Sequence, residues 1–381
     1  MTQVLPLVEQ GLHVAPLTLA QLSAEDRQAW HELAQRDALS APFLEEGWVS
    51  AWIDAFRPRE ALLLGARSGD RLIGLAALQR LTESWAGQRI RVVQSLTNVE
   101  CTRYDFLSAG ADVPEQLLRF LCSAGRCDLI RLDHLPDESP TLATAQALAQ
   151  RLGWRCHVEQ TFDSPWRPLG KTPETWDEGL DRKFKSNLRN REKRLDKIGT
   201  VTFEVATAST GLEPALQAWY ELDTESWKSQ NGSAVFQQAN VKAFYDRLVA
   251  RAPERIWIAL LKVNGTAAAA HFLLVHDGML FLQKTAYSPT FAPFAPGQLL
   301  TARLIRHGIA NGMTALDFLA ANMTWKSDWE PRLRPHYRLM LFAPTVRGRY
   351  AYWTRYGWRE RAKKIPGLQR VARALRNGGS S

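Results

Sequence analysis

Residues 255–287 read RIWIALLKVNGTAAAAHFLLVHDGMLFLQKTAY, and this stretch decides the fold. Three apolar runs of strand length are separated by Asn264-Gly265 and Asp277-Gly278. Both dipeptides favour tight hairpin turns, because their residues tolerate the positive φ that such turns require. Three antiparallel strands are therefore expected. The chain continues as APFAPGQLLTARLIRHGIANGMTALDFLAANMTWKSDWE, residues 292–330. Leu299, Leu300, Leu304 and Ile305 form an apolar stripe that predicts a helix over 298–311, and TALDFL reads as a short strand. A helix that begins on a glycine lets a ligand come close to its first backbone N–H groups.

The same order occurs earlier in the chain. ALLLGARSGDRLIGLAALQRL (61–81) reads as two strands around a tight turn, a helical pattern covers 113–124, and CDLIRLDHL (127–135) reads as a strand. Two copies of hairpin, helix and strand imply an α/β protein of two tandem lobes with mixed, partly antiparallel sheets. We expect a first lobe over 1–165, a second over 166–345 and a basic aromatic tail over 346–381. The Pro-containing DSPWRPLGKTPETW (163–176) is the expected linker.

Composition sets the broad class. The chain has 381 residues, 45% hydrophobic and 23% charged, which is enough apolar material for two cores. No run approaches the length of a spanning helix, and MTQVLPLVEQGLHV lacks the pattern of a signal peptide, so a cytoplasmic address is expected. Cys101, Cys122, Cys127 and Cys156 fit no metal-ligand spacing; reduced thiols and no metal are expected. Ten basic residues and one acid lie between Arg347 and Arg376, so this segment carries the whole net charge of +9. A second dense run, RKFKSNLRNREKRLDK (182–197), sets eight basic residues against two acids.

Five segments in order resemble the CelD/BcsL-type branch of the GNAT acyltransferases: ESWKSQNG (225–232), NGTAAAAHFLLVHDGMLFLQKTAY (264–287), APGQLL (295–300), IANGMTALDFL (309–319) and TWKSDW (324–329). That branch is similar in turn to the Fem-type aminoacyl transferases, which carry two GNAT-like lobes. The resemblance implies an acyltransferase using acyl-CoA, with an amino sugar or lipid-linked saccharide of a surface polymer precursor as acceptor. It places the coenzyme's pyrophosphate at Gly297, Gln298 and Leu299, on the N–H groups of a helix start. The superfamily's fuller signature has two glycines before the helix, and FAPFAPGQLL supplies one. The alternative is a proline-started helix whose glycine only turns the chain.

Attack of an amine on a thioester needs a base, a donor to the oxyanion and a proton for the leaving thiolate. Asp317, in a short strand where an apolar side chain would be usual, is a candidate base or amine-orienting group; a pairing with an arginine is the alternative. Lys326 is a candidate grip on an acceptor phosphate or carboxylate, or on Asp317 itself. Tyr287 is the candidate acid, and His271, among alanines, is a further candidate or else a hydrogen-bonded core residue. The resemblance implies that Trp227 and Lys228 line an acceptor groove, with packing as the alternative.

In the basic run, Phe184, Leu188 and Leu195 mark an apolar face, and Arg182, Lys185, Arg189 and Lys193 a positive stripe. The stripe is either a solvated face or a guide for an anionic acceptor. In the tail, aromatic rings interleave with arginines: the pattern suits an anionic membrane surface, or else the aromatic part packs on the second lobe and only the final basic turn is free. An aminoacyl-tRNA-dependent transferase of the Fem kind is the alternative enzyme. A nucleic-acid-binding protein is disfavoured, because the basic residues cluster in two segments and no recognised motif accompanies them.

Overall fold

The computed structural model describes residues 11–36, 42–124, 126–225 and 238–357. The first half contains β1 (Leu12–Leu17), α1 (Ala24–Arg36), α2 (Glu46–Phe56), β2 (Glu60–Ser68), β3 (Arg71–Trp85), β4 (Gln88–Ser95), β5 (Leu107–Ser108), α3 (Val113–Ala124), β6 (Leu129–Pro136), α4 (Pro140–Arg151) and β7 (Arg155–Pro168). The second half contains α5 (Arg182–Asp196), β8 (Val201–Ala206), α6 (Glu213–Glu225), α7 (Ala239–Arg251), β9 (Ile256–Val263), β10 (Thr266–His276), β11 (Met279–Tyr287), α8 (Pro296–Ala310), β12 (Ala315–Asp317), α9 (Thr324–Ser327), β13 (Arg332–Phe342) and α10 (Val346–Tyr352).

Both hairpin turns of the second half form as the sequence predicts. Asn264 and Gly265 have φ of 50° and 82°, and Asp277 and Gly278 have 44° and 70°. The long apolar runs of β9 and β10 arise because both faces of the sheet are covered. Ile258, Leu260, Ala270 and Phe272 pack with Trp219 and Phe244 of α6 and α7. Their neighbours Ala259, Leu261, Ala269 and Leu273 pack with Leu300 and Leu304 of α8. Each fully buried leucine contributes about 2 kcal/mol of transfer free energy. A Cβ at Gly308 would lie 2.9 Å from the Leu280 side chain, so this glycine lets α8 settle closely on β11.

The repeat is visible in three dimensions. In the first half β4 pairs in parallel with β6 across α3, and in the second β11 pairs in parallel with β12 across α8. All the strands join one 13-stranded sheet in the order β1-β2-β3-β4-β6-β13-β7-β12-β11-β10-β9-β8, with β5 against β3. The final strand of each half has crossed over: β7 lies beside β12, and β13 lies beside β6. The two exchanged strands also pair with each other, from Arg332↔Trp166 to Phe342↔Arg155. This corrects the reading of 163–176 as a linker, because residues 163–168 are the end of β7 and bond to both neighbours.

The aromatic start of the basic tail is packed, the second of its two readings, though not on the second lobe alone. Tyr352 and Tyr356 pack on Ile90 and Val92 of β4, Leu129 of β6, and Met340 and Phe342 of β13. Tyr350 Oη donates to Ala86 O at 2.8 Å. Of these aromatic residues Trp353 stays half exposed, and residues 358–381 lie outside the described residues. All four cysteines are free thiols. Among the described residues no helix is long and apolar enough to cross a membrane.

Candidate active site

The parallel pairing of β11 with β12 runs through Met279↔Ala315, Leu280↔Leu316 and Phe281↔Asp317 and then stops. From there β11 continues to Tyr287, while β12 ends. The fork leaves this edge of β11 from Leu282 onward without a strand beside it among the described residues, and a cavity of about 590 Å³ opens there. Leu282 to Tyr287 line one wall and Phe318 to Ala320 the other; the start of α8 and the Trp325–Lys326 turn close it. Val99 and Thr102, from the loop after β4, add a contribution from the first half.

That loop is pinned to β11. Phe272 faces Lys284 while Leu273 faces Leu282, so Gln283 is an extra residue in the strand, a bulge that turns it outward. Gln283 Nε2 donates to Glu100 O at 2.6 Å, and Lys284 Nζ pairs with Glu100 Oε1 at 3.0 Å. Tyr245 Oη donates to Glu100 Oε2 at 2.6 Å, so the buried carboxylate is fully partnered.

Lys326 is the most unusual group in the cavity wall. It is 4% exposed, and its Nζ donates to Leu319 O at 2.6 Å and Ala321 O at 3.0 Å. Burial pushes its pKa down to about 8, partly opposed by the negative charge of Asp317. An ammonium has three donors, so one remains for a ligand. The carbonyls that hold it come from a strained turn in which Leu319 and Ala320 have φ of 54° and 50°. Two consecutive non-glycine residues in the left-handed region persist only where their surroundings impose it.

Asp317 accepts one N–H of that turn, and its surroundings correct its assignment as a base. The residue is fully buried and is not in the cavity wall. Its Oδ2 lies 2.5 Å from Arg103 Nη2 and 3.3 Å from Arg334 Nη1. Its Oδ1 accepts the Leu319 N–H at 2.8 Å. The carboxylate is therefore occupied on both oxygens and cannot take a proton from a ligand in the cavity.

The other predicted residues divide. Tyr287 lines the cavity, and its hydroxyl has no hydrogen-bond partner among the described residues. His271 also lines it, but its Nε2 lies 3.0 Å from Thr301 Oγ1 and its Nδ1 3.0 Å from Ala270 O. Thr301 in turn donates to Gly297 O at 2.9 Å. The imidazole thus braces the first turn of α8 against β10, an anchoring place rather than a catalytic one.

At the helix start, Pro296 has no N–H, and the Gln298 and Leu299 N–H groups both bond to Ala295 O, at 3.0 and 3.3 Å. Gly297 carries the one first-turn N–H without a partner among the described residues. Gly297 and Gln298 line the cavity, whereas Leu299 is buried in the core under α8 and does not.

The helix α5 forms as expected, capped by Asp181, whose side chain accepts from Lys183 N and Phe184 N. Its predicted stripe does not reach the cavity: Arg189 is mostly exposed and 3.7 Å from Asp177, and Lys185 is half-buried outside the wall. The residue that does reach it is Arg191, which has no ion-pair partner among the described residues. Arg191 lies seven residues after Phe184, inside the apolar stripe, and an arginine there was the signal to follow. Trp227 and Lys228 lie outside the described residues.

Comparison with known proteins agrees with this geometry. Residues 182–327 match the model of a family described as acetyltransferase (GNAT) domain. The structure of FemX superposes with a TM-score of 0.59 at 10% identity, covering 86% of this chain and 96% of that one. The C-terminal domain (DUF2156) of a putative lysylphosphatidylglycerol synthetase from Agrobacterium fabrum gives 0.54 at 14% identity, covering 87% and 96%. L-PGS from Bacillus licheniformis gives 0.53 at 16%, with the same coverage. No curated protein matches the sequence. The fold is mixed α/β and GNAT-like, and the family match lies in its second half.

Proposed function

We propose that the chain is an N-acyltransferase that moves an acyl group from acyl-CoA to an amine, with an amino sugar of a cell-surface polymer precursor as acceptor. The observation that carries this reading is the fork of β11 and β12, with the Lys326 ammonium in its wall. The open edge of β11 offers N–H and C=O groups to an extended, amide-bearing arm such as pantetheine. Gly297 N–H and Arg191 are the groups available to the anionic part of the donor. The amine nitrogen attacks the thioester carbon; the carbonyl oxygen gains negative charge next to Lys326, and the C–S bond then breaks. Tyr287 is placed to protonate the thiolate, while the amine's proton leaves to solvent. The choice of a surface-polymer acceptor rests on the sequence resemblance and on the cationic character of the cavity.

One observation favours a second reading. A helix start with a single open N–H is a poor cradle for a pyrophosphate, and a Fem-type transferase taking its acyl group from aminoacyl-tRNA would not need one. The test is to incubate the purified chain with acetyl-CoA, longer acyl-CoAs or aminoacyl-tRNA, each with amino-sugar acceptors, and to identify products by mass spectrometry. N-acylated product with release of free coenzyme A supports the first reading. Transfer only from aminoacyl-tRNA replaces it with the second, and no transfer from any donor overturns both.

A further inference from the structure

We propose that Asp317 is a positioning residue: held by Arg103 from the first half and Arg334 from β13, it fixes the turn at Leu319 and Ala320 that presents Lys326 to the cavity. The inference rests on the reading of Lys326 as the group that meets the acyl carbonyl. The chain of contacts has no gap. Arg103 and Arg334 bind Asp317 Oδ2, and Asp317 Oδ1 accepts the Leu319 N–H. Leu319 O accepts from Lys326 Nζ at 2.6 Å. A side chain in one half of the molecule thereby places a side chain in the other.

A carboxylate is suited to this task because it does two things at once. It satisfies an N–H in a left-handed turn, as short acidic side chains do. Its charge also offsets part of the cost of burying an ammonium nearby. The remaining charged and titratable groups around Lys326 are few. His336 on β13 stays neutral, because burial and then the Arg103 charge hold its pKa down at about 3. Arg191, Lys284 and Asp328 line the cavity, with Glu100 paired to Lys284; His271 and Tyr287 complete the wall. Of these groups Asp317 is the one whose charge acts on the Lys326 ammonium in the stabilising direction.

The experiment reads Lys326 directly and needs no substrate, so its failure is distinguishable from failure of the acyltransferase reading. The intact chain is trace-labelled with acetic anhydride across the neutral to alkaline range, and the Lys326 peptide is quantified by mass spectrometry. In Asp317→Asn, which keeps an oxygen for the Leu319 N–H but loses the charge, the midpoint should fall. Lys326 should then be at least roughly threefold more reactive at neutral pH than in the parent, the equivalent of half a pH unit. In Arg334→Gln, Asp317 keeps Arg103 and the fold keeps a paired carboxylate, so the less neutralised charge should move the midpoint upward. Opposite shifts in the two variants support the proposal. If Asp317→Asn fails to fold, Asp317→Ser, which also keeps an oxygen for the Leu319 N–H and loses the charge, is read in its place with the same downward shift expected. An unchanged midpoint in the folded variants overturns it, since a residue that only held the fold together would leave Lys326 titrating as before.

Discussion

Arg103 and Asp317 lie 214 positions apart in the chain and meet at 2.5 Å, both side chains entirely buried. They come from different repeats, so their contact is part of what holds the halves in register. Removing one member of a buried ion pair costs about 3 kcal/mol or more, because the remaining charge is left without its partner. Arg103→Met should therefore lower the unfolding free energy by about 3 kcal/mol, with Arg334 keeping the loss from being larger. Denaturant titration measures this, and a double cycle with Asp317→Asn should show the two changes to be strongly non-additive. Simple additivity would mean that the contact carries no coupling.

Lys326 gives a pH dependence with a definite sign. Its pKa is lowered from the ordinary amine value to about 8, so the ammonium present below that pH is lost as pH rises through it. Turnover should fall along an alkaline limb near pH 8. Lys326→Met should abolish that limb and cut turnover about 100-fold, a loss typical of an oxyanion donor, while leaving donor affinity nearly unchanged. Lys326→Arg should retain some activity and lose the limb. A limb that persists in Lys326→Met belongs to another group.

Gly297 tests the donor side. Among the described residues, no atom beyond its chain neighbours and its own helix backbone lies within 4 Å of a Cβ built there, so Gly297→Ala should fold and bind as the parent does. Gly297→Asp places a negative charge beside the one open N–H and should weaken coenzyme A binding about tenfold, or 1.4 kcal/mol. Calorimetry with coenzyme A distinguishes the two. Equal affinity in Gly297→Asp would remove the helix start from the donor site and favour the aminoacyl-tRNA reading.

What was legible in the sequence was local. The turns at Asn264-Gly265 and Asp277-Gly278 announce themselves because few dipeptides accept two positive φ values, and the period of the apolar residues marks β9 to β11 and α8. The exchange of β7 and β13 was hidden, since the same alternation fits any partner strand and nothing within 155–168 names β12 as its neighbour. Asp317 stood out as a charge in an apolar strand, yet its role depends on an arginine that no local pattern connects to it. Arg191 was obscured differently: helical spacing groups Arg182, Lys185, Arg189 and Lys193 on a face apart from the apolar one, whereas the face set by Phe184, Leu188 and Leu195, which holds Arg191, is the one turned inward.

His336 should make the fold sensitive to acid. The ring is fully buried against Phe162, 4.8 Å between centroids and 10° from parallel, with its Nδ1 3.0 Å from Arg334 O. Its pKa is held down at about 3 in the folded chain, against about 6.5 in the unfolded one. The unfolded state therefore binds the proton first, and stability present above pH 6.5 is lost as pH falls toward 3. The slope is at most about 1.4 kcal/mol per pH unit. His336→Phe keeps the stacking and removes the titration, so its thermal midpoint should fall less steeply between those limits. Parallel curves would place the acid sensitivity elsewhere.

The last prediction concerns the C-terminal segment. The aromatic rings nearest the fold are committed to packing, with Tyr352 9% and Tyr356 7% exposed, so they are not available to a membrane. Beyond residue 360 the sequence still carries Arg361, Lys363, Lys364, Arg370, Arg373 and Arg376, with Leu368, Val371 and Leu375 between them. Each basic residue close to an anionic surface contributes about 1 kcal/mol at moderate salt. If all six meet such a surface, the sum predicts binding that salt reverses, which would bring the cavity near a lipid-linked acceptor. Deleting residues 360–381 should leave the thermal midpoint and turnover on a soluble acceptor as in the parent, because the packed rings stop short of the cut. It should abolish sedimentation with vesicles containing phosphatidylglycerol. Equal sedimentation of truncated and full-length chains, or none for either, would rule out this segment as a membrane contact.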